Sequence, residues 1–252
     1  MSDTPQPAQS PERVIAVIPA YNEGHSVAQV ASEAAAHYPV IVVDDGSVDD
    51  TAAHLQALDL IVLRNESNQG KAYSLWRGFG HALEQGAHAV ISLDADGQHA
   101  PDEIPRLIEA ARAQPGALIL AARQPGRDRA PPLRRCANRA ADFWISWAAG
   151  QRIADTQSGF RLYPAELLRR VALPVDHRHG FVFESEVLIE AARLGTPIRT
   201  VRIEALYPPA VRGSHYRACV DTLRIVRMVA ARLLAKGMYP AGLYRSLARR
   251  PP

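Results

Sequence analysis

Two aspartates spaced one residue apart, Asp94 and Asp96, interrupt the stretch ISLDADGQHAPDEIP, which runs from Ile91 to Pro105. A carboxylate at the end of a buried strand is expensive to desolvate, so each of these needs a compensating partner. Two oxygen-donor carboxylates flanking one residue suit Mg2+ or Mn2+, which takes few protein ligands and leaves positions for a diphosphate. Other polar clusters follow apolar runs in the same way: PAYNE (Pro19 to Glu23), DDGS (Asp44 to Ser47) and NQGK (Asn68 to Lys71). Acids at three of these four places would repel one another in an empty structural site. A metal ion with a polar ligand removes that conflict.

The elements that must position these residues alternate in type. Val14 to Pro19 reads as a buried strand, Ser26 to Tyr38 as an Ala-rich helix, and Val40 to Asp45 as a second strand. Asp49, Asp50 and Thr51 offer polar helix starts. Leu60 to Asn65 is a third strand, Lys71 to Gln85 a helix, Ala89 to Asp94 a fourth strand, Asp102 to Ala113 a helix, and Ala117 to Arg123 a fifth strand. Near-continuous apolar strands between helices predict an α/β fold with a mostly parallel sheet covered on both faces. Ligands of such sheets sit at the carboxyl ends of the strands, where the four polar clusters fall. After Arg123 come a basic loop, QPGRDRAPPLRR, a helix carrying Trp144 and Trp147, then TQSGFR. A helix from Glu184 to Leu194, a strand from Ile198 to Tyr207 and a basic amphipathic helix complete the pattern.

Bulk properties exclude several classes. Neither GxxxxGK[ST] nor a GxGxxG after the first strand occurs, so P-loop and dinucleotide-binding readings fail. A nucleotidyltransferase needs a Gly-rich, basic first loop, and PAYNE is neither. The two cysteines, Cys136 and Cys219, form no metal spacing. MSDTPQPAQSPER lacks an apolar core and reads as a disordered lead-in, not a signal peptide. No run approaches the length of a spanning helix, so the chain reads as soluble or at most peripheral. The net charge of +3 conceals an asymmetry: from Arg212 onward nine Lys/Arg face one acid, Asp221. A basic end on an acidic body points to an anionic partner there.

The segments VIPAYNE, VVDDGSVDDT, NQGKAYSLWRGF and LDADGQH, in this order, resemble family-two glycosyltransferases with the GT-A (nucleotide-diphospho-sugar transferase) fold. More narrowly they look like the dolichyl- or polyprenyl-phosphate sugar synthases. The resemblance runs from about Val14 to about Val229. It implies one GT-A catalytic domain over 13–236, preceded by the 1–12 lead-in and followed by a basic tail over 237–252. By resemblance Pro19, Tyr21 and Glu23 line the nucleotide pocket, and Asp44 and Asp45 hold base and ribose, Asp45 being the preferred base contact. Gly70 admits the nucleotide, with Lys71 beside it. Asp94 and Asp96 resemble the metal pair, with Gln98 as a further ligand of Mg2+ or Mn2+. A turn cap for Asp44 and an ordinary first-turn position for Lys71 are the alternatives. His99 reads as a hydrogen-bonded loop residue.

In the second half, Arg123, Arg134 and Arg135 resemble the clamp for an acceptor phosphate, a task that suits the guanidinium fork. Some lipid-phosphate enzymes place a serine one turn after the second arginine; this chain has Asn138–Arg139. Asp155 to Arg161 matches D-x-x-S-G-F-R of those synthases, which places Asp155 and Arg161 with Asp94 and Asp96 among the catalytic residues. Asp155 would orient sugar hydroxyls or act as a base, with a turn cap as its alternative. Glu184 approaches the cleft on the acceptor side, and Arg212 and Ser214 belong to a loop that reaches the donor diphosphate. Phe143, Trp144 and Trp147 read as core.

The activity so implied is inverting transfer of a hexose from GDP- or UDP-hexose to a polyprenyl or dolichyl phosphate. An acceptor phosphate is already anionic near neutral pH and needs no strong base, whereas a saccharide or glycolipid hydroxyl does. No Glu-Asp pair follows Asp155, which favours the phosphate. A hydroxyl-directed relative is the runner-up. A non-catalytic anion-binding module is the third class, and nucleic acid is disfavoured because the strand-end acids would repel it. The piece GMYPAGLYRSLARRPP, aromatic and basic without acids, suits an anionic membrane surface through Tyr239, Tyr244 and Arg245. The stripe Val220, Leu223, Val226 and Leu234 before it either packs on the sheet or meets lipid.

Overall fold

β1 (Val14–Ala20) and β2 (Val40–Asp44) are dominated by Val and Ile and are buried on both faces, the composition that central parallel strands require. The computed structural model that shows this describes residues 13–123, 132–173, 182–203 and 218–248, and side chains at 132–136 and 218–222 fall outside that description. Around these strands come α1 (Val27–Ala35), α2 (Thr51–Gln56), β3 (Ile61–Arg64), α3 (Lys71–Glu84), β4 (Ala89–Ser92), α4 (Ile104–Ala113) and β5 (Leu118–Arg123). Each expected element of this half is present, shifted by a few residues at most. The 1–12 lead-in lies outside the described residues.

The second half contains α5 (Pro132–Ala149), β6 (Arg161–Pro164), α6 (Ala165–Arg170), α7 (Val182–Arg193), β7 (Ile198–Ile203), α8 (Ala218–Ala235) and α9 (Pro240–Ala248). The sheet runs β3-β2-β1-β4-β6-β5-β7. β6 is antiparallel to both β4 and β5, while the other pairs are parallel. β6 and α6 were not legible beforehand, because RLYP is too short to show alternation. The expected strand over 198–207 is observed to Ile203, and its remainder lies outside the described residues.

Alternation within the strands divides the core. Ile15, Val17, Ile41 and Val43 face a layer of α3, α5, α7 and α8, whereas Ala16, Ile18, Val40 and Val42 face α1, α2 and α4. α3 lies close on the sheet because Gly78 has no side chain: a Cβ there would stand 2.4 Å from Val17 Cγ1. That close approach sets where α3 begins, and therefore where Lys71 sits.

The end of the chain is helical and docked. α9 packs on α5, and Trp147 Nε1 donates to the Tyr239 carbonyl at 3.1 Å. The Tyr239 ring, which the sequence offered to a membrane, instead packs against the core and covers Gly150 and Gly242. Tyr244 and Arg245 are exposed. The expectation that Phe143 and Trp144 belong to the core fails, since both are exposed on α5.

Gly78→Ala is expected to force α3 off β1 and to destabilise the protein by about 1–3 kcal/mol through overpacking. Urea denaturation measures this, and an unchanged midpoint would contradict the close approach.

Candidate active site

The partner that Asp94 requires is the ammonium of Lys71. Lys71 opens α3, and its Nζ lies 2.6 Å from Asp94 Oδ1, just past the end of β4, and 3.3 Å from Glu184 Oε1 in the first turn of α7. Burial opposes the lysine charge, but Asp94 and then Glu184 outweigh it, so the Lys71 pKa is raised. Burial likewise opposes the Asp94 charge, and Lys71 overcomes it and lowers that pKa. Asp96 has no such cation. Its burial and the neighbouring Asp94 charge raise its pKa, while its Oδ1 accepts the Gln98 N–H at 3.0 Å.

Charge balance tests whether a metal fits. Among the described residues the carboxylates of Asp94 and Glu184 contact the Lys71 ammonium and Asp96 stands near Asp94, three acids against one lysine. Arg123 and Asp155 nearby cancel each other. The excess matches a divalent cation, and hard carboxylate oxygens are its preferred donors. Asp94 and Asp96 are donors of the kind such an ion takes, and among the described residues no three His, Cys, Asp or Glu side chains converge on one point to hold it.

A loop closes over the pair. A Cβ on Gly159 would lie 2.5 Å from Asp94 Oδ2 and 2.9 Å from Lys71 Nζ, so only glycine allows the loop to come this near. Arg161 holds the loop from beneath: Nε donates to the Ser158 carbonyl at 2.8 Å, Nη2 to the Thr156 carbonyl at 2.9 Å, and Nη1 to that of Glu184. This corrects the reading of Arg161 as catalytic. Its guanidinium is fully buried and committed to backbone carbonyls, so it positions the Gly159 loop and Glu184.

Asp155 requires a similar correction. It is buried with φ 50°, and Oδ2 accepts the Arg123 N–H at 2.8 Å and Nε at 3.0 Å, while Oδ1 accepts Nη2 at 3.1 Å. A carboxylate engaged by a guanidinium fork orients that arginine and is not disposed to act as a base. Asp142 of α5 fixes the same turn by accepting the backbone N–H of Asp155 at 3.3 Å and of Thr156 at 2.9 Å. Sequence reasoning passed over Asp142, although it is the one acid in α5.

At the end of β2 the two neighbouring aspartates divide their work. Asp45 Oδ1 accepts Asn65 Nδ2 at 2.7 Å and the Gln69 N–H at 2.9 Å, and Oδ2 accepts the Gly70 N–H at 2.8 Å. It therefore builds the turn in which Gly70, at φ 91°, starts α3. Asp44 Oδ1 accepts the Ser47 N–H at 2.9 Å; Oδ2 is buried without a hydrogen bond, 3.5 Å from Arg64 Nε. Both Asp45 oxygens are thus engaged by the chain, whereas Asp44 Oδ2 has only the Arg64 ion pair. Asn22 and Ser47 tie the first two loops together, with the Asn22 N–H to Ser47 Oγ at 2.9 Å and the Val48 N–H to Asn22 Oδ1 at 2.9 Å. Pro19, Tyr21 and Glu23 lie half-buried along this seam.

Glu184, expected on the acceptor side, lies 3.3 Å from Lys71. Asn138 is half-buried on α5, the side chains of Arg134 and Arg135 at its start lie outside the described residues, and Arg212 and Ser214 lie outside them altogether. His99 is buried against Phe160 at 5.5 Å with neither ring nitrogen hydrogen-bonded, and burial lowers its pKa to about 4. It is a neutral packed ring here and not the hydrogen-bonded loop residue expected.

A mostly parallel sheet with polar loops gathered at its carboxyl ends is an architecture shared with known enzymes. Residues 15–186 match the family described as Glycosyl transferase family 2, and the chain belongs to that family. It is a glycosyltransferase. It is 32% identical over 202 residues to an undecaprenyl-phosphate mannosyltransferase of Micrococcus luteus, covering 76% of this chain and 82% of that protein. It is 29% identical over 212 residues to a polyprenol monophosphomannose synthase of Mycolicibacterium smegmatis, covering 80% of each. Among solved structures, glucosyl-3-phosphoglycerate synthase from Mycobacterium tuberculosis, in complex with Mn2+, UDP and glucosyl-3-phosphoglycerate, superposes with a TM-score of 0.67 at 23% identity, over 90% of this chain and 81% of that one. That likeness establishes the GT-A fold.

Lys71→Met leaves Asp94 and Glu184 facing each other without a cation. It is expected to destabilise the protein by about 2–3 kcal/mol, less than for a fully buried pair because the cluster is partly open. Millimolar Mn2+ should return part of that loss by binding the folded state. Denaturation with and without Mn2+ checks this, and a variant as stable as the parent would contradict the charge balance.

Proposed function

We propose that the protein transfers a hexose, with inversion, from a nucleoside-diphosphate sugar such as GDP- or UDP-hexose to a polyprenyl or dolichyl phosphate. The observation that carries this reading is the excess of acid around Lys71, three carboxyl groups against one ammonium, at the carboxyl ends of the strands, beneath the Gly159 loop. The names of the relatives support the acceptor: they act on undecaprenyl phosphate, polyprenol phosphate and, in a Methanococcus voltae enzyme 28% identical over 213 residues, dolichyl phosphate.

Asp94 and Asp96, with Gln98, would hold Mg2+ or Mn2+, which when bound neutralises charge on the departing nucleoside diphosphate. Lys71 supplies a further fixed positive charge, held in place by its ion pairs to Asp94 and Glu184. Asp44, through Oδ2, takes a donor N–H of the base or a ribose hydroxyl, and Pro19, Tyr21 and Glu23 line that pocket. Gly70, without a side chain, admits the nucleotide. Arg212 and Ser214 contact the diphosphate in this reading.

Arg123, held in orientation by Asp155, together with Arg134, Arg135 and Asn138, receives the acceptor phosphate. A phosphate oxygen is anionic near neutral pH and attacks without a general base. The commitment of Asp155 to Arg123 fits that demand better than a hydroxyl acceptor, which would need a base in that place. Among the described residues no helix is long and apolar enough to cross a membrane. Within this proposal the enzyme meets its lipid substrate as a peripheral protein at the cytoplasmic face of a membrane.

The test is transfer of labelled sugar from a panel of GDP- and UDP-hexoses to polyprenyl phosphate in Mg2+ or Mn2+. Transfer to the lipid phosphate is expected, and transfer only to a saccharide hydroxyl would overturn the acceptor. Asp96→Ala should abolish transfer with the fold intact, and chelation should do so reversibly. Arg135→Ala should raise the acceptor KM roughly ten- to a hundred-fold, the equivalent of a charged hydrogen bond of about 1.5–3 kcal/mol, with donor KM unchanged. Equal changes in both parameters would move Arg135 out of the acceptor site.

A further inference from the structure

A helix packed on a protein core needs one apolar stripe, and α8 has two. Ile225, Val229 and Leu233 are buried against the helical layer. Leu223, Val226 and Leu234 recur at helical spacing beside that stripe, where they are 59%, 52% and 69% exposed. The stripe that the sequence left between sheet and lipid therefore faces outward. The inward face is a different set of residues.

The outward stripe is part of a larger surface. Of the twelve large apolar side chains exposed among the described residues, eight lie on α5, α8, α9 or the turn before α9. α5 packs against both α8 and α9. On α5 the exposed members are Phe143 and Trp144; Trp144 stacks on Trp147 at 5.2 Å, which in turn is bonded to the Tyr239 carbonyl. The aromatic part is thus held rigidly and is not a loose end. Exposed apolar side chains concentrated on α5 and the two helices that pack on it mark an interaction site.

Charge selects the occupant. Arg224, Arg227, Lys236 and Arg245 are exposed on the same elements. Across α8 and α9 the sequence offers one acid, Asp221. Leucine, tryptophan and tyrosine among arginines and lysines are what an amphipathic helix presents to an anionic bilayer surface. A protein partner of comparable fit would need a matching acidic apolar face.

The surface also lies against the acceptor side of the site. Asp142, whose carboxylate holds the Asp155–Thr156 turn that orients Arg123, directly precedes Phe143 and Trp144 on α5. The arginine and the exposed aromatics are therefore linked through one carboxylate and one turn. A lipid phosphate bound at Arg123 can keep its chain in a bilayer that touches Phe143 and Trp144.

We propose that the outer faces of α5 and α8, flanked by α9, form the surface on which this protein docks to anionic lipid bilayers, with Leu223 and Leu234 of α8 inserted. The choice of a bilayer as occupant rests on the lipid-phosphate reading, but the docking itself is measured without any acceptor. The experiment is co-sedimentation with vesicles of phosphatidylcholine alone or mixed with phosphatidylglycerol, both free of polyprenyl phosphate. The parent protein should sediment with the mixed vesicles and be released by salt, as its exposed cations require. The double variant Leu223→Ser, Leu234→Ser should lose at least roughly ten-fold in partition, since each buried leucine contributes more than a factor of ten. Its circular dichroism and its turnover of a short, water-soluble isoprenyl phosphate should be unchanged.

Equal partition of parent and variant, or no binding by the parent, overturns the proposal. A parent that is dimeric without lipid, and a variant that is monomeric, overturns it in favour of a contact between two copies. Leucine-dependent vesicle binding without turnover of any isoprenyl phosphate would leave the docking surface standing and remove the acceptor reading instead.

Discussion

The ion pair between Lys71 and Asp94 is the constraint on which the rest of the site depends. It joins the first residue of one helix to the loop after a central strand, and Glu184 brings a third element to the same ammonium. Several features serve to bring these groups together. Asp45 shapes the turn from which Lys71 emerges. Gly78 lets α3 lie close enough to the sheet, and Gly159 lets a loop pass over the pair. A lysine so enclosed stays protonated because two carboxylates outweigh its desolvation.

Around that centre the polar residues separate into those that hold and those that remain available. Arg161, Asp45 and Asp142 are committed to backbone groups and shape loops. Asp155 is committed to Arg123 and fixes the direction of its guanidinium. Asp96, whose charge is opposed by burial and by Asp94, and Asp44, whose Oδ2 meets Arg64 at 3.5 Å without a hydrogen bond, are among the carboxylates that the folded chain leaves partly unsatisfied. Unmet demand in a buried polar cluster is costly and points to a ligand. Here these two carboxylates lie at opposite ends of a row of strand termini, as a metal-bound diphosphate and a nucleoside would require.

Much of this was legible in the sequence, for physical reasons. Val14 to Ala20 and Val40 to Asp44 are so continuously apolar that little but a central strand suits them, and the polar clusters then fall at strand ends by necessity. The pairing of Asp94 with Glu184 through Lys71 was not legible, because it joins residues far apart in the chain. Which of Asp44 and Asp45 is consumed by backbone N–H groups depends on the path of the Asn68–Gly70 turn, which composition does not encode. Arg161 was misread for a similar reason: a guanidinium in a motif looks like a ligand-binding group until its carbonyl partners are seen. α8 shows the limit of periodicity, since its Leu223–Leu234 stripe has the right spacing for a core face but an independent inner stripe occupies that role.

The account stands on the claim that the excess negative charge around Lys71 is a site for one divalent cation. Electron paramagnetic resonance of Mn2+ titrated into the protein, with and without UDP or GDP, measures that directly. One Mn2+ should bind per chain, more tightly with the nucleoside diphosphate, and Asp94→Asn or Asp96→Asn should each abolish it while the protein stays folded. Mn2+ binding that is absent in the parent, or unchanged in both variants, would contradict the claim.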